Sequence, residues 1–290
     1  MNFNGTEDTL FQMKKVLNCS GRLLDLSTPV VMGVLNITPD SFYDGGKLEN
    51  DKSILKAVEK MVINGATIID IGGQSTRPKS KILPAEEEWN RIGKYTELLC
   101  KEFHDTVFSI DTFYSIVASR AVDSGVTIIN DVSAGDFDTG MISFVAGRDI
   151  PFIAMHMKGV PSTMQDNPSY ENVVKEILEY FVRKVTLLRS VGIKDIIIDP
   201  GFGFGKTVDH NFSLLKNLSL FKMLDCPLLC GLSRKSMITQ TIGVKPEQAL
   251  NGTTVLNTIA LLNGASILRV HDVQEAIEAI KIFTRYNQTL

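Results

Sequence analysis

Polar residues recur in this sequence at one kind of place, the end of a short apolar run: Asn36, Asp70, Asp111, Asn130, His156, Asp199, Ser233 with Lys235, and Arg269 with His271. Taken singly, each is as well explained by capping the next helix or satisfying loop backbone. Taken together, carboxylates, amides and cations gathered at one mouth would repel or lose solvation unless a ligand with mixed donors and negative charge paired them. A carboxylate suits two parallel N–H donors on a guanidine-like edge, and an arginine fork suits an anion. The ligand these residues call for is a flat, donor-bearing ring carrying a phosphate-like group.

The segments around them have matching shapes. In NITPDSFYDGG, Asn36 offers a hard amide oxygen, and Gly45 and Gly46 mark a mobile lid. In GGQSTRP, Gly72 and Gly73 let backbone approach a ligand, Arg77 can meet an anion, and Pro78 restrains the loop. DPGFGFGKT is not a phosphate loop, because Pro200 and Lys206 stand where the phosphate-loop and dinucleotide patterns need glycine. Its glycines fit a sharp turn that exposes Asp199 and brings Phe204 over a ligand. GLSRKSM supplies Ser233, Lys235 and Ser236, and RVH supplies Arg269 and His271, two cations flanking one residue. His104 and His210 fall in helical, exposed stretches and receive no role.

What positions these residues is a repeated unit: an amphipathic stretch, a glycine, then a β-branched run. Instances are Ile54–Asn64, Gly65 and Thr67–Asp70; Ser115–Ser124, Gly125 and Thr127–Asn130; Met141–Ala146, Gly147 and Phe152–Met155; the stripe Val173 to Leu188, Gly192 and Ile196–Asp199; and Gly264 before Ile267–Val270. Each glycine is expected to stop its helix through positive φ. With Val30–Asn36, Val107–Ile110 and Leu228–Gly231, eight strands result, apolar on both faces as in a parallel sheet covered by helices. The expected fold is α/β, a (β/α)8 TIM barrel, in preference to an open doubly wound sheet. Loops after strands seven and eight are then the usual phosphate region. A short N-terminal β-hairpin, turning at Ser20 and Gly21, precedes the barrel. Residues 1–28 read as extension and hairpin, and 29–290 as a single barrel domain. Asp272 and Glu275 are expected to cap the final helix.

The formal charge of −3 argues against a nucleic-acid partner. No run of 18 apolar residues suggests a membrane span, and four scattered cysteines and a start without an apolar leader suggest a cytoplasmic protein.

VMGVLNITPDSFYDGG, ATIIDIGGQSTRP, SIDT, IINDVSAG, MHMKGVPSTMQ, IIIDPGFGFGKT, LLCGLSRKSMI and ILRVHDV, in that order from Val31 to Val273, resemble the dihydropteroate synthase family of folate biosynthesis. The resemblance implies condensation of 6-hydroxymethyl-7,8-dihydropterin diphosphate with p-aminobenzoate to give 7,8-dihydropteroate and diphosphate. Diphosphate leaves first, and the arylamine attacks a pterin-stabilised cation. The resemblance implies pterin contacts from Asp111, Asn130, Met155, Asp199, Phe204, Lys235 and Arg269, and diphosphate contacts from Asn36, Arg77, Arg269 and His271. Mg²⁺ would sit on Asn36, and p-aminobenzoate among Phe42, Thr76, Arg77, Pro78, Phe204 and Ser236. Arg269, His271, Lys235 and Arg77 are the implied catalytic group. Sulfonamides would compete with p-aminobenzoate, and the family forms homodimers.

Two positions depart from the family pattern: Gln74 stands where glutamate is usual and Lys79 where glycine is common. A pterin-dependent methyltransferase passing a methyl group from methyltetrahydrofolate to a corrinoid is the nearest alternative, and it would need no diphosphate site. A pterin-binding protein without activity is another, and it would lack a loop or its cations.

Overall fold

Ser20 and Gly21 both take left-handed φ, +54° and +90°, the conformation that a two-residue hairpin turn requires. They join β1 (Val16–Cys19) to antiparallel β2 (Arg22–Asp25), and Asn18 Oδ1 accepts a hydrogen bond from Gly21 N at 2.6 Å. The computed structural model describes residues 15–37, 47–74, 82–160 and 163–289.

Eight parallel strands follow: β3 (Val30–Asn36), β4 (Ile68–Gly72), β5 (Val107–Asp111), β6 (Ile128–Asp131), β7 (Phe152–Met155), β8 (Ile196–Asp199), β9 (Leu229–Cys230) and β10 (Ile267–Val270). Their order is β8-β7-β6-β5-β4-β3-β10-β9. Ile198 bridges to Leu228, and its N–H donates to Pro227 O at 3.0 Å, so the two ends meet. The sheet is therefore a barrel and not an open layer. Around it lie α1 (Lys47–Ile63), α2 (Ala85–Glu102), α3 (Ser115–Asp123), α4 (Thr139–Ala146), α5 (Val173–Ser190), α6 (Val208–Lys216), α7 (Ser236–Ile242), α8 (Leu250–Leu262) and α9 (Val273–Asn287).

Side chains of a strand alternate between the barrel interior and the helix layer. Met32, Ile68, Val107, Ile128, Ile153, Ile197, Leu229 and Ile267 form one apolar layer inside the amino end, and Leu17, Cys19, Leu24 and Leu26 of the hairpin segment pack beneath it. The hairpin thus plugs the barrel floor. Their strand neighbours, such as Val31, Ile69, Phe108, Ile129, Phe152, Ile196, Cys230 and Leu268, belong instead to the core shared with the helices.

Two local expectations fail for identifiable reasons, and one helix falls outside the repeated unit. Gly65, Gly125, Gly192 and Gly264 have positive φ, but Gly147 is at −81°, so α4 ends without a left-handed residue. Helix α2 has no place in the repeated unit because it ends at Phe103, with no glycine to mark it. Asp272 precedes α9 but makes no capping bond, because Arg234 holds its carboxylate at 3.0 and 2.6 Å.

Leu17→Ala is expected to lower stability by about 2–5 kcal/mol through a cavity in the floor. Leu23→Ala, on the exposed side of the hairpin, should change it by about 0.5 kcal/mol or less. Equal midpoints for the two variants in urea unfolding would contradict the plug.

Candidate active site

Two residues beyond the apolar floor on each strand, the same inward parity brings Asp70, Ser109, Asn130, Met155, Asp199, Gly231 and Arg269 into the barrel. The register sets Asn36 opposite Gly72, Gly72 opposite Asp111, and Asp111 opposite Asn130. Parity also splits the polar strand ends. His156, the residue after inward Met155, turns to the helix layer, where it packs edge-on against Tyr180 and is not part of the mouth.

Arg269 is the centre of the charged group. Its Nε donates to Asp70 Oδ2 at 2.7 Å and its Nη2 to Asp111 Oδ2 at 2.8 Å, while Asn130 Nδ2 donates to the same Asp70 oxygen at 3.0 Å. Burial pushes the Asp111 carboxyl up to about 7, with Arg269 opposing and Asp70 adding to the rise. Burial alone would lower the Arg269 pKa, yet Asp70 and Asp111 carry it above its ordinary value.

Asp199 comes from the next charged strand. Its Oδ1 accepts from Gly201 N at 2.8 Å, which leaves Oδ2 as the oxygen without a hydrogen-bond partner among the described residues. Burial raises its pKa, opposed first by Lys235. Lys235 donates to Phe202 O and lies 4.7 Å from the Phe204 ring centroid. Burial lowers the Lys235 pKa to about 8, with Asp199 holding it up. Gly231 contributes no side chain beside them; a Cβ there would sit 3.8 Å from Lys235 Nζ and 3.9 Å from Arg269 Cβ. Phe113, Val132 and Met155, with Phe204 against them, make an apolar wall suited to the face of a ring.

The turn after β8 is fixed from beneath. Gly201, Gly203 and Gly205 all have positive φ, and a Cβ on Gly201 would come within 2.0 Å of His156 O. Lys206 enters this turn as a buried cation, its Nζ donating to Gly201 O at 2.8 Å, Phe204 O at 3.0 Å and His156 Nδ1 at 3.1 Å. Burial drives the Lys206 pKa well down, and burial with the Lys206 charge drives His156 to about 2. In the sequence Lys206 serves only to exclude a dinucleotide pattern; the signal of its structural role is a lysine inside a glycine-rich turn, where backbone carbonyls have no helix or strand to receive them.

At the rim, Asn36 is exposed with its Oδ1 beside Gly72, and Ser233 Oγ lies 3.0 Å from His271 Nδ1. Ser236 begins α7 and is exposed. Gln74 is buried. Its amide donates to Glu88 Oε2 at 2.9 Å and Leu83 O at 3.3 Å and accepts from Leu83 N at 3.1 Å, tying together the two ends of the segment between. Burial raises the Glu88 carboxyl to about 7, so a glutamate at 74 would face a second carboxylate. Glu88 lies on α2, outside every sequence motif. Phe42, Gly45, Gly46, Thr76, Arg77, Pro78 and Lys79 lie outside the described residues.

No group of three or more His, Cys, Asp or Glu among the described residues could hold a metal ion. One amide oxygen at the rim is nevertheless a fitting donor for Mg²⁺, which takes few protein ligands and completes its shell with water and substrate phosphate. The site as built can clasp a donor-bearing edge with carboxylates, cover a ring face with Met155 and Phe204, and offer cations to an anion at the ends of β9 and β10. No described helix is long and apolar enough to cross a membrane.

A model of pterin binding enzymes matches residues 32–271. Dihydropteroate synthase of Escherichia coli is 41% identical over 268 residues, covering 92% of this chain and 94% of that protein. Among solved structures, Yersinia pestis dihydropteroate synthase in a sulfonamide drug complex is 39% identical with a TM-score of 0.88, covering 94% of this chain and all of that one. Xanthomonas albilineans dihydropteroate synthase with 4-aminobenzoic acid is 37% identical with a TM-score of 0.89, covering 95% and 99%. The inward carboxylates, amide and cations of the barrel mouth are thus set in a chain that belongs to the pterin-binding enzymes, in the dihydropteroate synthase family.

Proposed function

We propose that this chain joins 6-hydroxymethyl-7,8-dihydropterin diphosphate to p-aminobenzoate, a transfer of a pterinylmethyl group that yields 7,8-dihydropteroate and diphosphate. The observation that carries the reading is the inward convergence of Asp111, Asn130, Asp199, Lys235 and Arg269 above one apolar floor. A pterin presents an aminopyrimidinone edge whose paired donors match the free side of Asp199, and Asn130 can serve the neighbouring edge. Lys235 is placed to donate to the ring carbonyl, with Met155 and Phe204 on the faces.

Arg269 and His271 lie where the diphosphate would project, and Asn36 stands beside them at the end of the neighbouring strand β3. Arg77, with Asn36, completes this anion group in the proposal. When bound at Asn36, Mg²⁺ supplies further neutralisation of the diphosphate. The C–O bond breaks with its electron pair on the departing oxygen; Arg269 stabilises that charge, and the amine nitrogen of p-aminobenzoate then forms the new C–N bond and loses its proton. Phe204 and Ser236, with Phe42, Thr76, Arg77 and Pro78, are the proposed p-aminobenzoate contacts, and sulfonamides compete there. Arg269 and His271 favour this reading over the corrinoid methyltransferase, which has no anion to place beside them.

We assign the 29–290 segment to one catalytic domain, in the cytoplasm. A homodimer is supported by Val255, Ile259 and Leu262, exposed along one stripe of α8.

Diphosphate release that needs both p-aminobenzoate and Mg²⁺ is the expected outcome of a coupled assay; release indifferent to p-aminobenzoate would reject the reaction. Asp199→Ala should weaken pterin diphosphate binding about 100-fold, roughly 3 kcal/mol, by calorimetry. Phe204→Leu should raise the KM of p-aminobenzoate about fivefold, roughly 1 kcal/mol, and weaken sulfonamides alongside it. Because the free-enzyme Lys235 pKa is held down to about 8, kcat/KM for pterin diphosphate should fall as pH rises through that value. Lys235→Arg should carry this alkaline limb upward, and an unmoved limb would assign it to another group.

A further inference from the structure

The segments after β9 and β10 are braced residue against residue. Ser233 is bonded to His271 and Arg234 to Asp272, and Arg234 adopts φ +57°, which sends successive side chains of this turn to the two partners. Arg234 N also donates to Thr253 Oγ1 at 3.1 Å, anchoring the turn to α8. Asp272 is therefore engaged on both oxygens by a two-pronged arginine, and among the described residues no carboxylate hydrogen-bonds the His271 ring.

The Ser233 hydroxyl has one hydrogen to give. It accepts from His271 N at 3.3 Å and lies 3.0 Å from His271 Nδ1, and among the described residues these are its hydrogen-bond partners. Because Ser233 is buried, the arrangement that satisfies its hydrogen sends it to Nδ1. An accepting Nδ1 carries no proton, so the imidazole hydrogen resides on Nε2. Among the described residues, the charged groups acting on the ring are Arg269, Arg234 and Lys235 against Asp272, a balance that opposes an imidazolium. His271 is exposed at the rim, yet desolvation of its ring against the neighbouring turn, followed by Arg269 and Arg234, lowers its pKa to about 4.

We infer that Ser233 is a positioning residue that fixes His271 as a neutral Nε2–H imidazole, so that His271 gives the departing diphosphate a hydrogen bond and not a proton. This rests on the diphosphate site proposed above. The leaving group then departs as an anion whose charge is met by Arg269, and the reaction needs no histidine that titrates near neutrality.

The test uses the full chain carrying ¹⁵N-histidine, with the His271 resonances identified by their loss in His271→Gln. Long-range proton–nitrogen correlation should show a bare Nδ1 and a protonated Nε2 from about pH 8 to about pH 5. Ser233→Ala should give a mixture of tautomers and a ring that titrates at higher pH, with a severalfold rise in KM for pterin diphosphate and little change in kcat. Ser233→Thr, which keeps the hydroxyl, should restore the single tautomer and the KM. A protonated Nδ1 in the unsubstituted protein, or a tautomer that ignores the loss of the hydroxyl, overturns the inference. If Ser233→Ala does not fold, the unsubstituted and threonine spectra still decide it. The spectra require no turnover, so their failure is distinct from failure of p-aminobenzoate-dependent diphosphate release.

Discussion

Arg269 reaches across the barrel from its last strand to Asp70 on β4 and Asp111 on β5, and the rest of the site depends on that bridge. Three aspartates point into one mouth, and without an internal cation at least one would have to take a proton or leave the barrel. Such a bridge is a poor source of net stability, since removing three charged groups from water costs most of what their attraction returns. Its value lies in orientation. One guanidinium, gripped on two edges, holds two carboxylates in a fixed frame and still offers positive charge to an anion above it, so little has to reorganise when charge develops.

The neighbouring pair is built differently. Asp199 is steadied by a backbone N–H and by the nearby charge of Lys235, and the turn that carries it is shaped by a lysine facing the other way. Lys206 satisfies carbonyl oxygens that a run of left-handed glycines leaves outside any ladder. Pro200 and three glycines make the sharp turn possible, and the buried ammonium selects one conformation of it. Burial first, and then Lys206 beside it, oppose protonation of His156, which is why that histidine is an acceptor in a wall and not an acid in a site.

Much of this was legible in the linear chain. The alternation of helical stripes with β-branched runs marked all eight barrel strands, four with the same bounds in the structure and the others displaced by one or two residues at one or both ends. Asp111, Asn130, Asp199, Lys235 and Arg269 were marked by their position after apolar runs, and the structure brings them together. Glu88 was not legible, because it sits on a helix whose end carries no glycine and its partner Gln74 is 14 residues away. Asp272 looked like a helix cap because nothing local reveals that Arg234, 38 residues upstream, reaches it first.

The sequence by itself determined which residues end strands and what chemistry they carry, since strand propensity, periodicity and helix stops are short-range properties of the chain. Only the tertiary structure decided which of those ends look inward. A strand presents alternate residues to opposite faces, and when both faces are apolar nothing in the pattern says which is the lumen. Closure of the sheet and the hairpin beneath it settle that choice, sending Met155 to the mouth and His156 behind it. Charge pairing, too, depends on through-space distance, so the cation that balances Asp70 comes from a residue 199 positions along the chain.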